Sequence, residues 1–355
     1  MVLTVQFRKW QRAVSAIWLL ALLAGGGGAA LAQDDNVCDR PHVAGARSMV
    51  MLLWRGPTEV ERGFRDYIES RDLEINVTCL STKQDRSLLP GLIAEARALK
   101  PDLVYTWGTS VTMATAGLHD DHDPQQNITD IPVIFTMVSY PVGSGIVPSF
   151  ESPGRNITGS SHTVPLEAQL RAMQAYRTTT RIGVLFNPLE NNSVINVQQL
   201  QALSATSGVE IVALTVPLDA AGEPDSSGLP ALVAQLAARE PQFLYIGPDS
   251  FIGDHRDVVI AEALGHGVPA FTGTELEILD GDAMIGLVTG YYNLGQYMGS
   301  LAERILFNGE APEDIPVRRL SRFTYLLRLE VAKTLGLFPP LKVLDFARIL
   351  EVRTP

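Results

Sequence analysis

The chain has 355 residues, with 39 acidic residues against 28 lysines and arginines, so its formal net charge is −11. Binding to nucleic acid depends on clustered cations that neutralise phosphates, and an acidic chain of this kind is not expected to have a nucleic-acid partner. The length is enough for two ordinary domains.

Residues 1–32 have the layout of a secretory signal peptide. Arg8, Lys9 and Arg12 precede an apolar stretch over residues 13–24, and an Ala-Leu-Ala segment ends at Ala32. Small residues at those positions are the ones that signal peptidase reads. The stretch is short for a bilayer span, so an uncleaved membrane anchor is the less favoured alternative. The sequence therefore predicts export to the periplasm and a mature chain that starts at Gln33, with 25 basic and 39 acidic residues.

Strand and helix patterns alternate along the rest of the chain. Strands are predicted over residues 48–53, 75–80, 103–106, 131–138, 181–186, 210–214, 243–246 and 270–272. Helices are predicted over residues 57–70, 88–99, 111–118, 166–176, 194–205, 229–239 and 256–264. This order predicts an α/β fold with two doubly wound lobes, each built on a parallel sheet.

Between the two predicted lobes lies a segment rich in proline and glycine, residues 140–161. Its first half leaves the carboxyl end of a strand, which is where open parallel sheets bind ligands. Its last part, residues 157–161, is interpreted as a strand-like crossing into the second lobe. Short crossings with nearby glycine can act as hinges, and an ordinary surface loop is the alternative.

Several short motifs resemble one family in their order and spacing. The segment YPVGSGIV at 140–147 with PGRNITG at 153–159 resembles the signature of ABC-transporter substrate-binding proteins of the tryptophan/tyrosine-transport type. Further matching segments are WGTS at 107–110, NP at 187–188 with NS at 192–193, PDSF at 248–251, RILFNG at 304–309 and AKTLGL at 332–337. The resemblance extends from about residue 49 to residue 351.

The resemblance implies a type I periplasmic-binding-protein fold, in which three crossing segments join two lobes around a ligand cleft. The expected division is residues 33–158 plus 288–322 for lobe 1, 159–287 for lobe 2, and 323–355 for a C-terminal crossing strand and helices. The later crossings are expected near residues 284–289 and 322–327. Tyr140 stands where the family usually has aspartate at the mouth of the cleft. Because of this difference, the resemblance alone does not imply that this chain binds the amino-acid ligands of the family.

Candidate ligand contacts in the first lobe follow predicted strands. Gly108, Thr109 and Ser110 lead into a helix, whose free N–H groups and dipole favour a carboxylate or phosphate; an ordinary Ser/Thr cap is the alternative. Trp54 and Arg55 could stack on a planar ligand and pair with a carboxylate, or could be a half-buried loop tryptophan and an exposed arginine.

Aromatic side chains end three neighbouring strands of the predicted first sheet. Trp107 and Tyr140, the latter preceded by Ser139, join Trp54 at one edge of that sheet. Each aromatic residue alone is typical of packing. Together they predict a flat-walled pocket for an aromatic or amphipathic ligand.

In the second lobe, the candidate residues are Asn187, Asn192, Asp249 and Glu275, each just beyond a predicted strand. Carboxylates here could hold a ligand's ammonium or hydroxyl groups. Helix capping by Asn192 and Asp249, and simple solvation of Glu275, are the alternatives.

Cys38 and Cys79 could form a disulfide in an oxidising compartment or remain two inert thiols. Neither has the spacing of a metal or redox site. The His- and Asp-rich run at 119–123 is interpreted as a solvated loop, and no metal site or cofactor is predicted. The sequence has no nucleophile elbow, zinc-protease motif, phosphate loop or dinucleotide fingerprint, so no enzyme is predicted.

These observations predict a monomeric, extracytoplasmic solute-binding protein. It would capture an amino-acid-like or aromatic carboxylate for an ABC permease in the inner membrane. The alternative is a periplasmic sensing subunit that signals to a membrane kinase or cyclase. A secreted enzyme on the same scaffold is a third class, which turnover of a bound ligand would reveal.

Overall fold

The structure is a computed structural model that describes residues 36–351, which belong to one compact unit; the predicted signal peptide lies outside these residues. The strands are β1 (Arg47–Leu53), β2 (Ile75–Ser81), β3 (Leu103–Trp107), β4 (Val133–Val138), β5 (Ile157–Ser161), β6 (Arg181–Phe186), β7 (Glu210–Thr215), β8 (Phe243–Ile246), β9 (Ala270–Thr272), β10 (Ile285–Val288), β11 (Arg318–Arg319), β12 (Thr324–Leu327) and β13 (Arg348–Ile349). The helices are α1 (Glu59–Ser70), α2 (Leu89–Ala98), α3 (Thr109–Ala116), α4 (Leu166–Tyr176), α5 (Asn191–Ser207), α6 (Leu229–Ala237), α7 (Ser250–Asp254), α8 (Arg256–Gly265), α9 (Leu276–Leu279), α10 (Tyr291–Leu306), α11 (Leu329–Thr334) and α12 (Leu341–Leu344). Within the described range, none of these helices is both long and apolar enough to cross a membrane.

The strands form two sheets. The first has the order β11-β5-β4-β3-β1-β2, and every neighbouring pair in it is parallel. The second has the order β13-β12-β10-β9-β8-β6-β7, in which only the β10–β12 pair is antiparallel. Parallel strands need crossover connections, and helices supply most of them. The predicted α/β class with two doubly wound sheets is confirmed.

Both sheets are buried on both faces. In β1, Met49 and Met51 pack in one cluster with α1 and α10, while Val50 and Leu52 pack in another with α2 and α3. The second sheet divides its side chains between two further clusters in the same way. A strand covered on both faces is a continuous apolar run, which explains why the segment SMVMLL was recognisable as a core strand.

Helix α10 returns the chain to the first sheet and crosses α1 at very short range. A Cβ atom on Gly295 would lie 1.9 Å from the carbonyl oxygen of Val60, and one on Gly63 would lie 2.1 Å from the carbonyl oxygen of Tyr292. Only glycine permits this approach of the two backbones. The contact anchors the late part of the chain to its beginning.

The crossings between the sheets differ in detail from the predicted ones. Residues 157–161 are not a crossing but the strand β5, which pairs with β4 and β11 in the first sheet. The chain passes to the second sheet after Ser161, returns between β10 and α10, and passes again between β11 and β12. From this sheet membership we propose that the first lobe comprises residues 36–161 and 291–319, and the second lobe residues 166–288 and 324–351.

Cys38 and Cys79 form a disulfide, with Cα atoms 5.6 Å apart. The bridge ties the short 3-10 turn Val37–Asp39 to the edge strand β2. Of the two states that the sequence left open, the structure has the bridged one.

Candidate functional site

A small cleft, here called the inner cleft, lies between the two lobes and has a volume of about 50 Å³. It is lined by Arg55, Trp107, Gly108, Thr109, Met137, Ser139, His162, Glu190, Asn192, Pro248, Asp249, Ser250, Gly253, Thr274, Leu276, Glu277 and Tyr291. Most of these residues follow the carboxyl ends of strands in one lobe or the other. This is the position at which open parallel sheets bind ligands.

On the first-lobe wall, β3 ends at Trp107 and the chain turns sharply into α3. Gly108 makes the turn with a φ of +92°, which glycine adopts without steric cost. The next residue, Thr109, begins the helix, and its Oγ1 accepts a hydrogen bond of 3.3 Å from the backbone N–H of Ser139. This bond ties the end of β3 to the end of β4.

The end of β4 carries an extra residue that redirects the chain toward the inner cleft. The pairing of β4 with β5 shifts between Phe135 and Val138, and Met137 has a φ of +55°. Such a bulge re-aims the side chains around it. Ser139 follows, and its hydroxyl lies 3.1 Å from Nε2 of His162. Burial lowers the pKa of His162 to about 4, so its imidazole is neutral at neutral pH.

On the second-lobe wall, Asp249 organises two loops. One carboxylate oxygen accepts from the backbone N–H of Ile252 at 2.9 Å and so caps α7. The other accepts from the backbone N–H of Asn187 at 2.7 Å and from the hydroxyl of Ser193. Burial raises the pKa of Asp249. Asp249 is therefore a helix cap, as the alternative interpretation held, and also a cleft residue.

Glu190 is a buried carboxyl beside Asp249 that the sequence did not single out. It accepts from the backbone N–H of Ser250 at 2.8 Å, from the Ser250 hydroxyl at 3.0 Å and from Nδ2 of Asn192 at 2.8 Å. Burial, and then repulsion from Asp249, raises the pKa of Glu190 to about 7. The segment 187–193 offered one usable signal, an acidic residue in the turn between β6 and α5.

An ion pair joins the two lobes across the cleft. Nη2 of Arg55 lies 3.0 Å from Oδ1 of Asp254, and both side chains are largely buried. The Arg55 guanidinium also lies 5.3 Å from the ring centroid of Trp107, within the range of a cation–π contact. The ion pair therefore links the first lobe to the second, and the cation–π contact holds Arg55 against its own lobe.

A second cavity, here called the outer chamber, adjoins the inner cleft. It has a volume of about 590 Å³, and Glu190 and Ser250 line both spaces. Its other lining residues are Trp54, Gln84, Asp85, Arg86, Ser87, Ser110, Asn187, Leu189, Glu223, Pro224, Phe251, Asp254 and His255. Three sequence-predicted site residues, Trp54, Ser110 and Asn187, therefore lie in the outer chamber and not in the inner cleft.

The predicted wall of three aromatic residues does not form. Trp107 lines the inner cleft, Trp54 lines the outer chamber, and Tyr140 lines a separate cavity beside the crossing segment 163–165. The Tyr140 hydroxyl instead donates a hydrogen bond of 2.9 Å to Oδ1 of Asn196 on α5, in the second lobe. Tyr140 thus fastens one lobe to the other.

Glu275 lies outside both cavities. Its carboxylate accepts a hydrogen bond of 2.7 Å from the backbone N–H of Tyr291, the first residue of α10. The acidic residue that lines the inner cleft is Glu277, two positions later, which accepts from the hydroxyls of Thr272 and Thr274. Burial raises the pKa of Glu277. No pattern in the sequence distinguishes these two glutamates.

Within residues 36–351, no group of three or more metal-ligating side chains is arranged to hold a metal ion. In the His- and Asp-rich run, Nδ1 of His119 and Nδ1 of His122 pair with backbone carbonyl oxygens.

Two α/β lobes closed on a polar cleft define a solute-binding protein of the type I periplasmic fold. A family model described as ABC transporter substrate binding protein matches residues 56–349, and the chain belongs to this family. Such proteins bind solutes outside the cytoplasm for ABC transporters.

Known relatives agree with this assignment. A tyrosine-binding protein of Clostridioides difficile is 25% identical over 285 residues, which is 79% of this chain and 77% of the relative. A conserved domain protein from Vibrio cholerae has a TM-score of 0.76 at 20% identity and covers 86% of this chain and all of its own. An ABC domain from Streptococcus pneumoniae, solved in complex with L-Trp, has a TM-score of 0.74 at 20% identity, over 86% of this chain and 99% of its own.

Proposed function

We propose that this protein captures an amino acid, and specifically an aromatic one, in the cleft between its lobes and delivers it to an ABC permease. Its relatives support this ligand class, since one is named as tyrosine-binding and another was solved with L-Trp. The observation that carries the proposal is the chemistry of the inner cleft. It places one cation, Arg55, against the carboxyl groups of Glu190, Asp249 and Glu277. A zwitterion needs both kinds of neighbour.

The two cavities have sizes that suit the two ends of such a ligand. The inner cleft, at about 50 Å³, holds only a small polar group, while the outer chamber, at about 590 Å³, falls within the range of ordinary ligand pockets. Trp54, Leu189, Phe251 and His255 give the outer chamber an apolar and aromatic wall. An aromatic side chain would lie there, beside Glu190 and Ser250, which line both spaces.

Location and partner complete the proposal. Residues 1–32 are proposed to be a cleavable signal peptide that delivers the protein to the periplasm, where it acts as a monomer beside its permease. The disulfide agrees with an oxidising compartment. The sensory alternative gains no support from the relatives reported above, and the proposed role includes no catalysis.

A thermal-shift screen of the exported protein tests the ligand class. L-tryptophan and L-tyrosine are expected to raise the melting temperature, since a ligand that binds only the folded state adds about 2.7 kcal/mol at a hundredfold excess over its Kd. Aliphatic amino acids, sugars and nucleosides serve as controls. A shift with sugars alone, or with none of these compounds, would refute the aromatic amino-acid proposal.

Closure can be tested at Tyr140. In Tyr140→Phe, the interlobe bond to Asn196 is lost, which should cost the closed form about 1 kcal/mol. Because only the closed form completes the site, we expect ligand affinity to fall about fivefold in titration calorimetry. Tyr297→Phe is the matched control, because no described residue pairs with the buried hydroxyl of Tyr297. Equal affinity of Tyr140→Phe and wild type would rule out the interlobe role.

A further inference from the structure

Three buried polar atoms of the inner cleft have no hydrogen-bond partner among the described residues. They are Nε1 of Trp107, Nε of Arg55 and Oδ1 of Asn192. Trp107 is 6% exposed and Asn192 is 4% exposed. Buried polar groups are almost always paired, so three unpaired atoms around one cleft indicate that a ligand pairs with them.

The unpaired donors belong to the first lobe. An indole N–H and a guanidinium N–H can only donate hydrogen bonds. Arg55 directs its Nη2 to Asp254, at 3.0 Å, and the guanidinium lies beside the Trp107 ring. What remains on this wall is a pair of donors from neighbouring side chains, and such a pair suits an anionic acceptor.

The unpaired acceptor belongs to the second lobe, and its identity is fixed by its neighbours. Nδ2 of Asn192 donates to Oε1 of Glu190 at 2.8 Å and to the carbonyl oxygen of Pro248 at 2.7 Å. Reversing the amide would place its oxygen against these two acceptors. The Asn192 oxygen must therefore be the atom left without a donor.

The nearby carboxylates are already occupied. Asp249 accepts from Ile252, Asn187 and Ser193, and Glu190 accepts from Ser250 and Asn192. Their charges still act on a ligand through space, but their oxygens mainly hold the second-lobe loops in place.

We propose that the Trp107 indole N–H, with Arg55, binds the carboxylate of the ligand, and that the Asn192 side-chain oxygen binds its ammonium group. This assignment rests on the proposed function, since it takes the ligand to be an amino acid, and it adds two specific contacts and a direction. The ligand lies with its carboxylate on the first lobe and its ammonium on the second. A molecule that lacks the carboxylate leaves the first-lobe donors unpaired, and one that lacks the ammonium group leaves the Asn192 oxygen unpaired. Either molecule is expected to bind more weakly.

Ligand analogues separate the two contacts. The test is titration calorimetry of L-tryptophan, its decarboxylated analogue tryptamine and its deaminated analogue indole-3-propionate. Trp107→Phe is expected to weaken the binding of L-tryptophan at least tenfold and the binding of tryptamine less than threefold. The difference arises because tryptamine lacks the carboxylate that the Trp107 N–H is proposed to bind. Asn192→Leu is expected to weaken the binding of L-tryptophan at least tenfold and the binding of indole-3-propionate less than threefold, because indole-3-propionate has no ammonium group.

Matched variants control for packing and folding. Trp54→Phe removes the other tryptophan of the described residues, which lines the outer chamber. It should change the affinities for L-tryptophan and tryptamine by the same factor. Gln198→Leu alters an exposed residue of the same helix, α5, and should leave all three affinities as in wild type. If Asn192→Leu does not fold, Asn192→Ala removes the same oxygen with a smaller side chain and should show the same loss of preference for L-tryptophan over indole-3-propionate.

Each outcome has one meaning. If Trp107→Phe lowers the affinities for L-tryptophan and tryptamine equally, Trp107 acts by packing. That result would overturn its assignment as a carboxylate-binding residue. Wild-type protein that binds indole-3-propionate as tightly as L-tryptophan would overturn the assignment of Asn192. Wild-type protein that binds neither L-tryptophan nor L-tyrosine would overturn the proposed function itself, and this direction of binding with it.

Discussion

Replacing both Cys38 and Cys79 by serine is expected to lower the free energy of unfolding by about 4 kcal/mol. The bridge joins residues 41 positions apart, and a cross-link of that length removes about this much chain entropy from the unfolded state. It also holds the turn Val37–Asp39 against β2, which lies at the edge of the first sheet and has only one neighbouring strand. Urea unfolding of the oxidised wild type and of the double variant measures the difference.

The matched control is reduction of the wild type. Dithiothreitol should shift the wild-type unfolding midpoint to that of the double variant and leave the variant where it was. Ligand affinity should be the same in both proteins, because neither cysteine lines the inner cleft or the outer chamber. Coinciding unfolding curves of oxidised wild type and variant would show that the bridge adds nothing to stability.

The sequence predicted the fold best where the core strands are continuous apolar runs. β1 and β4 are such runs, and both are almost wholly buried. β5 was misassigned as a crossing because its residues, ITGSS, are polar, yet it is fully buried. Its hydroxyl groups find partners inside the fold, as when Thr158 donates to the carbonyl oxygen of Ile315 at 2.7 Å. Gly159 is required there, since a Cβ atom would lie 2.2 Å from the carbonyl oxygen of Phe135.

Very short elements also escaped prediction. β11 and β13 have two residues each and α9 has four, which is too few for a periodic pattern of apolar residues to show. Their positions depend on the sheets that they join, and sheet order is a property of the whole fold.

For the site, the sequence could predict which loops reach the cleft but not which atoms in them are free. The loops follow from the rule that parallel strands present their carboxyl ends at one edge. Whether Asp249 or Asn192 has an acceptor to spare depends on hydrogen bonds between segments about 60 residues apart, such as that from Asn187 to Asp249. The choice between Glu275 and Glu277 depends on how the short α9 turns, which no local pattern shows.

The contribution of Glu275 to the free energy of unfolding is expected to fall as the pH rises from 5 to 8. Burial is the main reason that the pKa of Glu275 rises from 4.5 to about 7; the N–H of Tyr291 opposes the rise and the charge of Glu59 adds to it. The folded protein therefore holds this proton more tightly than the unfolded chain. The resulting stabilisation, about 3 kcal/mol, is complete below pH 4.5 and is lost as the pH rises through 7.

Glu275→Gln tests this contribution, because an amide does not titrate. The unfolding free energy of the variant minus that of wild type should increase by about 3 kcal/mol from low pH to pH 8, with most of the increase between pH 5 and pH 8. Urea unfolding at closely spaced pH values measures it. Glu74→Gln, on the exposed surface, controls for the change in net charge. Parallel curves for Glu275→Gln and wild type would show that the pKa of Glu275 is the same in the folded and the unfolded protein. In that case the carboxylate at the crossing into α10 is stabilised by the helix N-terminus strongly enough to cancel its burial.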